Sequence, residues 1–107
     1  MANNFKNAVS IVNVSPGSVL YTTPTNTQSV IHTLSLSNNS NNPHEVTIQF
    51  VDLSLGVTRN LLVNAPIPSG STLVFPKPIN LEQGDSIRIV GSSSGVIEAF
   101  ASILEIT

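Results

Sequence analysis

Apolar residues recur along this chain with a period of two rather than 3.6, the spacing of strands and not of helices. Val46, Ile48 and Phe50 alternate with Thr47, Gln49 and Val51, and Ile87 and Ile89 flank Arg88. In the run 31–37 the alternation sets His32, Leu34 and Leu36 on one face and mostly small polar residues on the other. Between 57 and 63 it aligns Val57, Arg59, Leu61 and Val63, with both faces partly apolar towards the end. The closing run sets Glu98, Phe100, Ser102, Leu104 and Ile106 against Ile97, Ala99, Ala101, Ile103 and Glu105. A strand apolar on both faces is either central between two layers or covered by a neighbouring subunit.

Turn signals punctuate these runs at short intervals. They are Ser15-Pro16-Gly17-Ser18, Pro24-Thr25-Asn26-Thr27, the Asn-rich stretch 38–43, Leu55-Gly56, Pro66-Ile67-Pro68-Ser69-Gly70, Glu82-Gln83-Gly84-Asp85 and Gly91-Ser92-Ser93-Ser94-Gly95. About eight strands fit between them, at 7–14, 19–22, 29–37, 45–53, 57–63, 71–75, 85–90 and 96–106. No window of a dozen residues free of Pro and Gly carries a helical stripe. The expectation is an all-β fold, a single-domain β-sandwich of jelly-roll or immunoglobulin-like type with antiparallel strands. One domain spans 1–107, and the polar residues 1–7 could form an extended N-terminal arm.

Composition narrows what such a domain can do. Charged residues are 9% of the chain, against about 25% in ordinary domains. Ser, Asn and Thr instead supply 36 of the 107 residues. A net charge of −2 is too weak to steer the chain to nucleic acid or an anionic membrane. The absence of Cys removes disulfides, thiolate catalysis and Cys-based metal sites. Met1 to Ala8 has no apolar core of a signal peptide, and apolar runs reach three residues where a spanning helix needs about 20. Four Lys/Arg are few with which to guard the edge strands of a monomer. Two explanations fit the low charge beside 40% hydrophobic content: an Asn/Thr/Ser-rich surface that is soluble without charge, or, the favoured expectation, surface permanently covered by other subunits.

Motifs for chemistry are sparse. Gly91-Ser-Ser-Ser-Gly95 fits the G-x-S-x-G nucleophile elbow formally, with Ser93 as nucleophile, but that motif needs a helix after the serine. The residues after Gly95 read as strand, so the segment is a turn. Gly84-Asp85-Ser86 resembles the G-D-S block of one esterase class, yet helices to build that α/β fold are missing. Asp85 closes a turn instead. His32 reads as partly buried and His44 as exposed, 12 residues apart with Glu45 alone beside either, which is a weak set for zinc. Glu82 and Asp85 lack the ladder of oxygen ligands of a calcium loop. Without Trp and with one Tyr, no aromatic platform for sugar or single-stranded nucleic acid is evident. The reading is therefore non-enzymatic, with no cofactor, no metal, no nucleic acid and no membrane.

Four segments carry a resemblance: Asn4-Phe5-Lys6-Asn7-Ala8, Ala65-Pro66-Ile67-Pro68-Ser69-Gly70-Ser71-Thr72-Leu73, Leu81-Glu82-Gln83-Gly84-Asp85-Ser86-Ile87-Arg88-Ile89, and Ala101-Ser102-Ile103-Leu104-Glu105-Ile106. In this order the chain resembles small virion structural proteins of tailed bacteriophages of the marine and cyanobacterial type. The likeness runs over nearly the whole chain but lies in strands and turns, so no catalytic residue carries over. It implies a virion subunit assembled in the bacterial cytoplasm, most simply a capsid cement or decoration protein. Its partners would be the major capsid protein or other virion proteins, and it would form a homo-oligomer, a trimer or dimer. A neck, tail or fibre component is the alternative, and a host-surface binding module the second. The expected contact residues are Asn3, Asn4 and Phe5 in the arm, Asn39 and Asn42 in one loop, and Pro66 and Pro68 in another.

Overall fold

A computed structural model describes residues 2–107, and Met1 lies outside the described residues. Nine strands follow one another: β1 (Asn3–Val12), β2 (Ser18–Thr22), β3 (Gln28–Asn38), β4 (His44–Asp52), β5 (Val57–Ile67), β6 (Thr72–Val74), β7 (Ile79–Leu81), β8 (Ser86–Gly91) and β9 (Ile97–Ile106). They form two antiparallel sheets. One runs β1-β9-β3-β6, with β7 also on β3, and the other runs β2-β8-β4-β5. The chain is thus the all-β sandwich that its alternation calls for.

The core lies between the sheets and is built from the period-two positions. Ile31, Leu34, Leu36, Ile97, Ala99, Ala101 and Ile103 come from the five-stranded sheet, and Val46, Ile48, Ile87 and Ile89 from the four-stranded one. Each is almost wholly removed from water, and burying a Val, Leu or Ile side chain is worth roughly 1.5–3 kcal/mol. The strand apolar on both faces, β9, is central in its sheet, between β1 and β3. Its odd-numbered residues face the core, while Phe100, Leu104 and Ile106 face outwards.

Three details add to or correct the expectations. First, the described residues form nine strands, in keeping with the about eight expected; the short addition is β7, three residues long after Pro76 and Pro78. A run that short shows no period, although Ile79 and Leu81 turn inwards around Asn80. Second, His32 is exposed and not on the face of Leu34 and Leu36. The pairing of β3 with β9 shifts between Ile31 and Thr33. This bulge inserts one residue and inverts the alternation, so Ile31 and Leu34 both point inwards. Third, residues 3–7 are not a free arm. Asn3 to Asn7 pair in unbroken register with Ile106 to Ser102 as the first half of β1. That side of β9 would otherwise leave its backbone N–H and C=O groups without partners.

The expected turns are present. Gly17, Gly56, Gly70, Gly84 and Gly95 all have positive φ. At Gly17 a side chain is barred twice over, since a Cβ there would lie 2.6 Å from the Ile89 carbonyl oxygen.

Candidate interaction surface

The expected contact residues fall into two groups at opposite ends of the sandwich. Asn3 lies level with Ile106 on β9, while Asn38, just before Asn39, lies level with Ile97. Nine residues of strand separate those levels, roughly 30 Å at ~3.3 Å per residue.

At one end, the loops 38–44 and 65–70 converge on a buried asparagine. The Asn38 amide nitrogen donates to the carbonyl oxygens of Asn42 and Ile67 at 2.8 and 2.9 Å. Its side-chain oxygen accepts from the Ser40 amide at 3.0 Å and hydroxyl at 2.8 Å. The Ser69 hydroxyl donates to the Ser40 carbonyl at 2.7 Å. Asn42, Pro66 and Pro68 are exposed around this knot, and Asn39 donates through its amide to Glu98. The alternation hides Asn38, since a polar residue at a strand end reads as surface. Its sequence signal is only that it opens the Asn-rich turn.

The other end holds a buried polar group. Tyr21 donates its hydroxyl to Glu105 and lies 2.8 Å from the Ser29 hydroxyl. Lys6 reaches the same carboxylate at 3.4 Å. Burial first, and the Glu105 carboxylate second, push the Tyr21 phenol from 10.0 up to about 12.

Between these ends spreads the outer face of the five-stranded sheet. Its cross-strand rungs align Phe5, Leu104 and Val30 on one level and Val9, Phe100, Ser35 and Val74 on another. Phe5 is 85% exposed, Val9 73% and Ile11 56%. Glu98, between Ile11 and Ser37, is the one acid among the described outward positions of β1 and β9. Beside it, Val9, Ile11, Asn39 and Phe100 line an open hollow of about 550 Å³. The rung between these two levels, Asn7, Ser102 and Thr33, is polar, so the exposed apolar residues form two clusters on one face. Of the expected contacts, Phe5 belongs to this face, Asn3 shares its side of β1, and Asn4 points to the other.

The candidate chemical groups sit elsewhere. Ser93 lies in the turn between β8 and β9, which continues as strand. Its neighbour Ser92 has its hydroxyl 3.3 Å from His44 Nδ1, and that oxygen also accepts the Glu45 amide at 2.9 Å. No carboxylate hydrogen-bonds the His44 ring among the described residues. Asp52, Glu82 and Asp85 bring carboxylate oxygens within 4.8 Å of one another. Asp85 uses its two oxygens on backbone amides, Leu53 at 3.1 Å and Glu82 at 2.9 Å, clamping two turns. Amide donation from Leu55 and a hydrogen bond from the Ser54 hydroxyl hold the Asp52 carboxyl below its usual range. No described helix is long and apolar enough to cross a membrane.

No family model and no curated protein matches the chain. Among solved structures it is similar to a chain of Bacillus endospore appendages, described as forming a novel family of disulfide-linked pili. The TM-score is 0.58 at 15% identity, over 98% of this chain and 88% of that one. At that identity the likeness is one of fold.

Proposed function

We propose that this chain is a non-enzymatic structural subunit of a bacteriophage virion, seated on the capsid shell as a cement or decoration protein. The observation that carries the reading is the outer face of the five-stranded sheet, where Phe5, Val9 and Phe100 lie exposed with little charge around them. Such a face is suited to being covered, at roughly 25 cal/mol for each Å² of apolar surface removed from water. A subunit that binds only the assembled shell stabilises that state by mass action. The resemblance of its strand and turn segments to small virion proteins supports the finer assignment. The fold it shares with a pilus chain supports the coarser one, a β-sandwich used as a repeated building block. Disulfide linkage is closed to this chain, which has no Cys, so its assembly would be non-covalent in that respect.

Copy number tests the proposal, by quantitative mass spectrometry of purified virions against the major capsid protein. Hundreds of copies per particle are expected. Six to a few dozen would move the protein to the neck, tail or fibres, and none would overturn the virion reading.

A further inference from the structure

The free edge of β1 is organised for one particular partner. Ala2 and Thr107 exchange both backbone hydrogen bonds, at 3.1 and 2.9 Å. In an antiparallel ladder such pairs alternate with pairs that face away. The even-numbered residues of β1 therefore bond to β9, and Asn3, Phe5, Asn7, Val9 and Ile11 aim their N–H and C=O groups outwards. The Ser18 hydroxyl, which donates to the Ile11 carbonyl at 3.0 Å, confirms that direction and occupies the last of them. Asn3 to Val9 remain as an extended edge. It contains no proline and no bulge, since ten successive residues pair with β9 without a shift. An edge of this length and regularity is a template for another strand.

We infer that the partner is a second copy of this chain, its β1 added antiparallel about a two-fold axis through Asn7, making one continuous sheet across two subunits. The side chains select this register. With the axis at Asn7, Phe5 of each copy lies opposite Val9 of the other, an aromatic against a β-branched residue, the kind of cross-strand pair worth roughly 0.2–1 kcal/mol. Lys6 then faces Ala8. Moving the axis one residue back would set Lys6 directly against Lys6, and like charges opposite each other are destabilising. Moving it forward to Ala8 would pair Phe5 with Ile11, whose carbonyl is already engaged. At Asn7 the exchanges Phe5 to Val9, Asn7 to Asn7 and Val9 to Phe5 use the free backbone groups two by two. A two-fold axis is also the commonest symmetry by which a surface complements itself. The dimer joins the two apolar outer faces into one. It is independent of where the protein resides, so its failure would leave the copy-number result untouched.

The test uses the purified 107-residue chain in sedimentation equilibrium from the micromolar range to about 1 mM, with two variants. Asn7→Pro deletes an amide that faces away from β9, a position where an edge strand accepts proline. Its circular dichroism and melting should match the parent while its dimer dissociation constant rises at least tenfold. Asn7→Cys places two thiols across the axis on Cα atoms about 5.5 Å apart, within disulfide range. Mild oxidation should convert it to a covalent dimer, while Phe5→Cys should cross-link far less. A chain that stays monomeric at 1 mM overturns the inference and leaves the edge to a strand of a different protein. A dimer indifferent to Asn7→Pro, or an Asn7→Cys chain that does not cross-link, overturns it as well.

Discussion

The two sheets end in edge strands of opposite character. β5 closes the four-stranded sheet, and its pairing with β4 breaks twice, between Val46 and Ile48 and between Ile48 and Gln49. Asn64 sits at one break with φ 48°, Pro66 follows it, and Arg59 and Asn60 are exposed along the strand. Bulges, proline and a cation are the devices by which proteins keep an edge from pairing. β1 has neither bulge nor proline. It runs ten residues in perfect register, and its single lysine turns back towards Glu105. The outer faces follow suit. Gln49 on β4 stands between Arg88 and Asn60, a polar rung, whereas Phe100 on the other sheet stands beside Val9. The four-stranded sheet also exposes Val19, Leu61 and Val63, but its edge is interrupted where that of β1 is regular. On the outward positions of β1 and β9 Glu98 is the one described charge, and the assembly reading rests on the exposed apolar residues beside it.

The comparison can be broken most severely at the anchor of β5. Asn38→Ala removes the donor to the Ile67 carbonyl and the acceptor of the Ser40 amide at a site 1% exposed, while the Asn42 carbonyl keeps the Ser40 hydroxyl. Leaving buried polar groups without partners costs about 1–3 kcal/mol each, so urea unfolding should show a loss of about 2–3 kcal/mol. A smaller effect is expected at the bulge. Asn64→Val puts a β-branched side chain at positive φ, a strain of about 1–2 kcal/mol, and thermal melting should register it while β1 is unaffected.

The mildest perturbation is at the β1 end. The phenol of Tyr21 holds its proton up to about 12 when folded and to 10.0 when free. The unfolded chain therefore loses that proton first as pH rises. The contribution is fully present below pH 10 and is lost between there and about 12. Denaturation midpoints should fall across that window in the parent, and Tyr21→Phe should flatten this part of the profile. Equal slopes in the two proteins would remove Tyr21 as the cause.

Much of the fold was legible in the chain. Alternation located β4, β8 and β9, and the core residues Val46, Ile48, Ile87 and Ile89 are the ones it placed inside. The turns were legible because glycine at positive φ and asparagine in tight loops are local requirements. His32 was misplaced because a bulge is decided by the partner strand: β9 has one residue fewer over that stretch, and nothing within 31–37 records it. The candidate surface was half legible, since Phe5 was singled out as an arm residue and not as part of a sheet face.

What the sequence determined by itself is therefore everything set within a few residues: strand character, turn positions, the two-layer core and the poverty of charge. Tertiary structure alone decided which strands are neighbours. Asn3 meets Ile106 across almost the whole chain, and closing so long a loop is a choice among competing pairings that no local pattern encodes. That choice made β9 central and β1 an edge, and so brought Phe5, Val9 and Phe100 onto the outer face of one sheet.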